Sequence, residues 1–179
     1  MRQEWARSGW ATARRFWLGG ALALCLTSLA PGIGLASSAP ELVFGAATAE
    51  LEDSGSLIPK GDGRFETEDR RYVGKSVARS VTDEWAACLS GRLTSREDWS
   101  LETPKLDGTH RSTITIRSER AVVTLRLRGQ MEYPTASGSW EITRATGACA
   151  GLDGEGRYTV SFSSSDPEFR LTFEGEVQN

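Results

Sequence analysis

The chain has 179 residues, 21 basic and 24 acidic, a formal net charge of −3 and a mean hydropathy of −0.36. That length suits one domain plus a terminal segment. The acidic balance argues against nucleic acid or an anionic membrane as partner. Arginine outnumbers lysine 18 to 3, as a GC-rich genome would produce, and the single Asn and three Gln fit a warm habitat.

Residues 1–36 read as a cleavable signal peptide. Arg14 and Arg15 precede the uncharged stretch Phe16–Ala30, and Pro31-Gly-Ile-Gly-Leu-Ala36 ends in small residues at 34 and 36. Basic start, short apolar centre and small-residue exit are the order of a secretory signal. The arginine pair before Phe16-Trp17-Leu18 also resembles a twin-arginine export signal. A membrane anchor needs about 20 apolar residues, and here Pro31, Gly32 and Gly34 interrupt the run. Leu22-Ala-Leu-Cys25 approximates a lipobox, but Leu24 stands where a small residue belongs. The expectation is export to the periplasm or beyond, cleavage after Ala36, and no stable membrane anchor afterwards. Cleavage removes four arginines and one glutamate and leaves a net charge of −6.

In the mature chain, residues 37–70 read as an N-terminal strand and a polar loop. Glu41-Leu-Val-Phe44 has strand character. Glu50 to Arg71 carries acids, Gly, Ser and Pro59 and little to bury, apart from a short strand near Arg64–Thr67. Residues 71–179 read as the main domain, with a period of two. Val123, Leu125 and Leu127 alternate with Thr124, Arg126 and Arg128. Tyr158, Val160 and Phe162 alternate with polar neighbours, as do Phe169, Leu171 and Phe173. Thr113–Ile116 and Trp140–Ile142 continue the pattern. Successive strand side chains point to opposite faces, so these are half-buried antiparallel strands. Only Ser80–Ser90 admits a helical reading, and Gly91 and the β-rich flanks count against it. Turns fall at Ser118-Glu-Arg120, Gly129, Ser137-Gly138, Gly151–Gly154 and Ser165-Asp-Pro167. The fold expected is all-β: eight strands after residue 70 in an antiparallel meander barrel, with a β-sandwich as the alternative.

Cys88 and Cys149 are the two cysteines left after cleavage. An oxidising compartment favours their pairing. The bridge would enclose about 60 residues and contribute roughly 4 kcal/mol in the chain-entropy model. In a strand over Glu84–Leu93, Trp85, Ala87, Leu89 and Leu93 share one face and Cys88 takes the other. The bridge is therefore expected on the outside of the barrel, pinning the 146–152 connection. Two cysteines and one histidine cannot complete a soft-metal site, so no metal and no cofactor is expected. Asp153 and Glu155 fall far short of a calcium cage.

The segment Gly138-Ser-Trp140 … Thr146-Gly-Ala-Cys-Ala-Gly-Leu-Asp-Gly154-Glu-Gly-Arg-Tyr158 resembles the glycine-rich hairpin pattern of secreted bacterial proteins with an allene-oxide-cyclase-like or dirigent-like β-barrel. Gly108-Thr109 and Gly175 fit the same pattern. Cys149 departs from it, standing where an aromatic residue is usual. The resemblance covers about the last 110 residues. It implies an eight-stranded barrel with an apolar interior, and plant members that isomerise or steer a reactive hydrophobic substrate. No motif here matches their catalytic residues.

The remaining chemistry is sparse. His110 follows Gly108-Thr109 at a strand start and reads as a surface turn. Asp98, Glu102 and Asp107 cluster without a spacing that assigns acid–base roles. Gly151-x-x-Gly154-x-Gly156 lacks the Gly-Lys-Ser/Thr of a phosphate loop. Tyr72, Trp85, Trp99, Trp140 and Phe162 would line a ligand cavity if they share one interior, although small barrels are usually filled by side chains. Two functions follow. One is an exported barrel that binds a hydrophobic small molecule or acts structurally in the envelope. The other is a cofactor-free isomerase or cyclase of the allene-oxide-cyclase type. A buried carboxylate or tyrosine beside a deep cavity would favour the enzyme.

Overall fold

A computed structural model describes residues 39–163 and 168–179. The signal-peptide reading and the Ser165-Asp-Pro167 turn lie outside the described residues. Nine strands and one short helix follow in order: β1 (Glu41–Asp53), β2 (Ser56–Gly61), β3 (Arg64–Ser80), α1 (Glu84–Cys88), β4 (Gly91–Glu102), β5 (Asp107–Arg117), β6 (Ala121–Glu132), β7 (Thr135–Gly147), β8 (Asp153–Phe162) and β9 (Glu168–Gln178). Every pairing is antiparallel. β3 to β9 form a meander, and β1 pairs with both β9 and β3. The sheet therefore closes on itself as an eight-stranded barrel of β1 and β3–β9. β2 continues along the edge of β3 beyond β1.

Period two sets the interior. Val123, Leu125 and Leu127 of β6, Tyr158, Val160 and Phe162 of β8, and Phe169, Leu171 and Phe173 of β9 are all buried, as the alternation required.

Three local expectations are corrected. The stretch from Glu50 to Arg71 is not a loop, because β1, β2 and the start of β3 occupy it. The barrel thus takes its strands from both sides of residue 70, and six strands, not eight, begin after it. The β1 pattern is faint because its inward residues are small: Val43, Gly45, Ala47 and Ala49. The β2–β3 hairpin turns at Asp62 and Gly63, with φ of 53° and 74°. Two positive φ values in an Asp-Gly pair mark the tight hairpin turn that matches strand twist.

The second correction is α1. Trp85, Ala86, Cys88 and Leu89 are buried while Ala87 is exposed, the spacing of a helical turn and not of a strand. Three serines hold this turn. Ser76 Oγ donates to Leu89 O at 2.8 Å, Ser80 Oγ accepts from Ala86 N at 3.3 Å, and Ser90 Oγ donates to Ala86 O at 2.7 Å. The turn lies at the barrel end where β3 finishes and β4 begins.

The third correction concerns the position of the disulfide. Cys88 and Cys149 are bridged, with Cα atoms 6.0 Å apart. Cys88 belongs to α1 and Cys149 to the turn between β7 and β8, and both are buried. The bridge ties α1 to that turn at one barrel end and does not lie on the outer wall. Replacing both cysteines by serine should lower the unfolding free energy by about 2–5 kcal/mol. Urea denaturation checks this, and an unchanged midpoint would show that α1 stays seated without the bridge.

Candidate functional site

Among the described residues the buried ionisable side chains Glu97 and His110 enter the barrel interior side by side. On β4 the inward positions run Leu93, Ser95, Glu97, Trp99 and Leu101. On β5 they run His110, Ser112, Ile114 and Ile116. Pairing sets Trp99 opposite His110 and Glu97 opposite Ser112. Glu97 and His110 are both 0% exposed and lie wholly within the core. His110 is therefore no surface turn. The local Gly108-Thr109 signal was outweighed by its phase with Ser112, Ile114 and Ile116.

A buried carboxylate needs donors, since an unpaired one costs several kcal/mol. Ser95 Oγ donates to Glu97 Oε1 at 3.1 Å, and Trp99 Nε1 donates to Oε2 at 3.2 Å. Ser112 Oγ lies 2.9 Å from Ser95 Oγ and extends the chain of hydroxyls. His110 Nε2 lies 3.5 Å from Glu97 Oε2, within ion-pair distance but outside hydrogen-bond geometry. On its other side, His110 Nδ1 is 2.7 Å from Tyr158 Oη. With the ring proton on Nε2, facing Glu97, Nδ1 accepts from the phenol.

Tyr158 stands on β8, two strands away from β6 and three from β5. Its reach depends on glycine. The row His110, Gly129, Gly138, Tyr158 runs across β5 to β8 in register. A Cβ at Gly129 would collide with Ser137 O on the next strand and lie 2.7 Å from Tyr158 Oη. The phenol crosses a wall with no side chains and meets the imidazole. Burial, then the charge of Glu97, pushes the Tyr158 hydroxyl well above the usual phenol range. It stays protonated and acts as a donor.

The predicted aromatic residues are all buried but do not form one group. Trp99 meets Phe162 edge-on at 4.7 Å, Tyr72 meets Phe169 at 4.8 Å, and Tyr72 and Phe162 lie 6.4 Å apart. His110 joins them at 6.1 Å from Phe162. Trp140 instead packs on Phe173 at 5.9 Å, over Gly156 and Gly175, and donates to Glu174 O at 3.0 Å. Trp85 belongs to α1. Sequence reasoning missed Glu97, Arg70, Ser95 and Ser112. For Glu97, Ser95 and Ser112 the signal was parity, since each is in phase with an apolar residue two positions away, whereas Arg70 is turned inward by a bulge that alternation does not show.

Arg70 covers this cluster from β3. Its guanidinium lies 4.4 Å from the Trp99 ring centre and 5.7 Å from that of Tyr72, and Nη2 donates to Tyr72 Oη at 3.0 Å. A bulge between Thr67 and Arg70 turns it inward, with Asp69 at φ 63°. Among the described residues no three His, Cys, Asp or Glu side chains gather as metal ligands.

No family model matches the chain, and no curated protein matches it. The solved structure of pyocyanin demethylase is similar at 12% identity and a TM-score of 0.38, over 74% of this chain and 98% of that one. A likeness of that size carries no argument about chemistry.

Two outcomes test the geometry. Burial, then the charge of Glu97, pushes the Tyr72 hydroxyl up to about 12, against the opposing pull of Arg70. The folded value is above the unfolded one, so the neutral phenol stabilises the fold below pH of about 10. That stability should fade as pH rises from there towards 12, and less so in Tyr72→Phe. Denaturant midpoints across this window check it. Gly129→Ala should cost about 1–3 kcal/mol by overpacking. An unaltered melting temperature would mean that neither the Ser137 backbone nor Tyr158 needs the bare wall at this position.

Proposed function

We propose that the chain is an exported β-barrel that holds a small hydrophobic molecule at the aromatic end of its interior. The observation that supports this is the Glu97–His110–Tyr158 row set among Tyr72, Trp99, Phe162 and Phe169. A barrel of eight strands fills well with apolar side chains alone. Burying a glutamate and a histidine together is costly and adds nothing that a packed leucine would not supply. Buried polar groups within an aromatic wall fix the orientation of ligands. Side chains fill this layer, so a ligand enters by displacing Arg70 from Trp99. Kinship with the allene-oxide-cyclase-like and dirigent-like barrels is part of the same reading and fits the closed eight-stranded sheet.

Export belongs to the reading as well. The disulfide suits an oxidising compartment. Among the described residues no helix is long and apolar enough to cross a membrane. N-terminal sequencing of protein from the exported fraction should begin at Ser37, and an intact Met1 would overturn the signal assignment.

The binding test uses N-phenyl-1-naphthylamine, a neutral probe that fluoresces in apolar surroundings. One saturable site per folded chain is expected. Absence of saturable binding by a folded barrel would leave the envelope role as the better account.

A second reading is favoured by the 2.7 Å contact between Tyr158 Oη and His110 Nδ1. The phenol and the imidazole are hydrogen-bonded and offer a path for one proton between them, with the carboxylate 3.5 Å beyond at ion-pair distance, and such a transfer is what a cofactor-free isomerase needs. In heavy water, exchange of an α-hydrogen on a bound ketone would report such transfer. Tyr158→Phe should retain binding and slow exchange by about a hundredfold. Equal exchange in the two proteins would exclude the phenol from the path.

A further inference from the structure

Three buried side-chain polar atoms among the described residues lack a hydrogen-bond partner: Thr67 Oγ1, Arg70 Nε and His110 Nε2. All three surround Trp99. Thr67 is its partner across β3 and His110 its partner across β5. Arg70 lies on its ring. Buried donors without acceptors are expensive, and native structures keep few of them. The three gather at one residue, and of them His110 Nε2 faces Glu97 at 3.5 Å while Thr67 Oγ1 and Arg70 Nε have no such partner.

The sign of a molecule that would complete their bonding follows from the charges. Arginine only donates and is always cationic. Among the described residues no carboxylate forms an ion pair with Arg70. The acids around it are engaged elsewhere. Asp69 Oδ1 is 2.9 Å from Arg96 Nε, and Asp98 Oδ1 accepts from the Asp69 amide at 2.9 Å. Glu97 is held by Ser95 and Trp99. Outside the barrel a groove of about 510 Å³ runs over the bulge and reaches the chain at Thr67 and Trp99. Its rim carries Arg96 and Arg111 as well as Glu66, Glu68 and Asp98, and Arg70 lies outside its lining, so the groove marks where the outer surface comes nearest this cluster and the cation within supplies the preference for an anion. Behind Trp99 lie Tyr72, Phe162 and Phe169, packed edge-on or tilted against one another, surroundings that suit a further flat ring.

We propose that this end of the barrel receives a small aromatic acid, its anionic oxygen on Arg70 and Thr67 and its ring against Trp99. This rests on the reading that the barrel holds a hydrophobic molecule, and adds the charge and shape of that molecule.

Calorimetry on the purified, disulfide-bonded protein tests it with three probes of one shape: 2-naphthoate, 2-naphthylmethanol and 2-naphthylmethylammonium. The acid should bind at least about tenfold more tightly than the alcohol, and the amine most weakly. Arg70→Gln should abolish that preference and leave the alcohol within about threefold. Thr67→Val removes the hydroxyl with little change of shape. It should weaken the acid by about threefold or more, spare the alcohol, and serve where Arg70→Gln fails to fold. Equal affinity for acid and alcohol in the unaltered protein, a preference that survives Arg70→Gln, or one that Thr67→Val leaves undiminished, overturns the anion assignment while the hydrophobic site stands. No saturable binding of any probe overturns both.

Discussion

The interior exists because β1 is held along both edges. It pairs with β9 from Glu41 to Glu50 and with β3 from Val43 to Asp53. Remove either seam and the meander is an open sheet with one wet face. Closure fixes the width of the ring, and eight strands leave room for side chains and little more. A large ring system inside then requires a bare wall beside it. The barrel supplies such walls at three places. Phe173 lies on Gly45, Trp140 on Gly156 and Gly175, and Tyr158 beside Gly129. The glycines are spacing elements of the core. Their value is the absence of a Cβ and not a special backbone angle, since none of these four has a positive φ.

That spacing decides where polarity can sit. Trp140 and Phe173 fill their glycine-lined wall with hydrocarbon, and the indole N–H is satisfied by Glu174 O. At the other wall the space is used to bring a phenol to an imidazole. The difference rests on parity. Glu97 and His110 hold inward positions on adjacent strands, so the register that closes the barrel also brings them together. Ser95 and Ser112, diagonal neighbours on the same face, supply the hydroxyls that make the carboxylate bearable. Replacing Glu97 alone would strand two donors. Replacing the whole row with hydrocarbon would be far less costly.

Much of this was legible as alternation. Val123 to Leu127, Tyr158 to Phe162 and Phe169 to Phe173 announced their inner faces directly, and two cysteines announced a bridge. What failed did so for physical reasons. β1 is lined by Val, Gly and Ala, so its two faces differ little in hydropathy. α1 is a five-residue helix, too short for a period to stand out from its flanks. The bridge was then placed on the wrong surface, because a strand and a helical turn send Cys88 to different places. His110 was judged from its glycine neighbour, although its phase with Ile114 and Ile116 pointed inward. Barrel closure itself is a pairing of chain ends, and no local pattern encodes it.

The cluster around Trp99 is balanced on small terms. The stack of Arg70 on the indole is worth about 0.5–2 kcal/mol. A hydrogen bond from a charged donor is worth about 1.5–3 kcal/mol, and an orphaned hydroxyl costs about 1–3 kcal/mol. A ligand oxygen that engages Arg70 and Thr67 together thus returns more than release of the stack removes. The same comparison limits how firmly the end is shut. A stack of about 1 kcal/mol holds the open form to roughly one molecule in six, which lowers apparent affinity by about the same factor. The bulge before Arg70 matters here more than the arginine itself. Without the turn at Asp69, strand parity would send residue 70 to the same side as Glu68, which is exposed, and the cation would have no aromatic face to rest on.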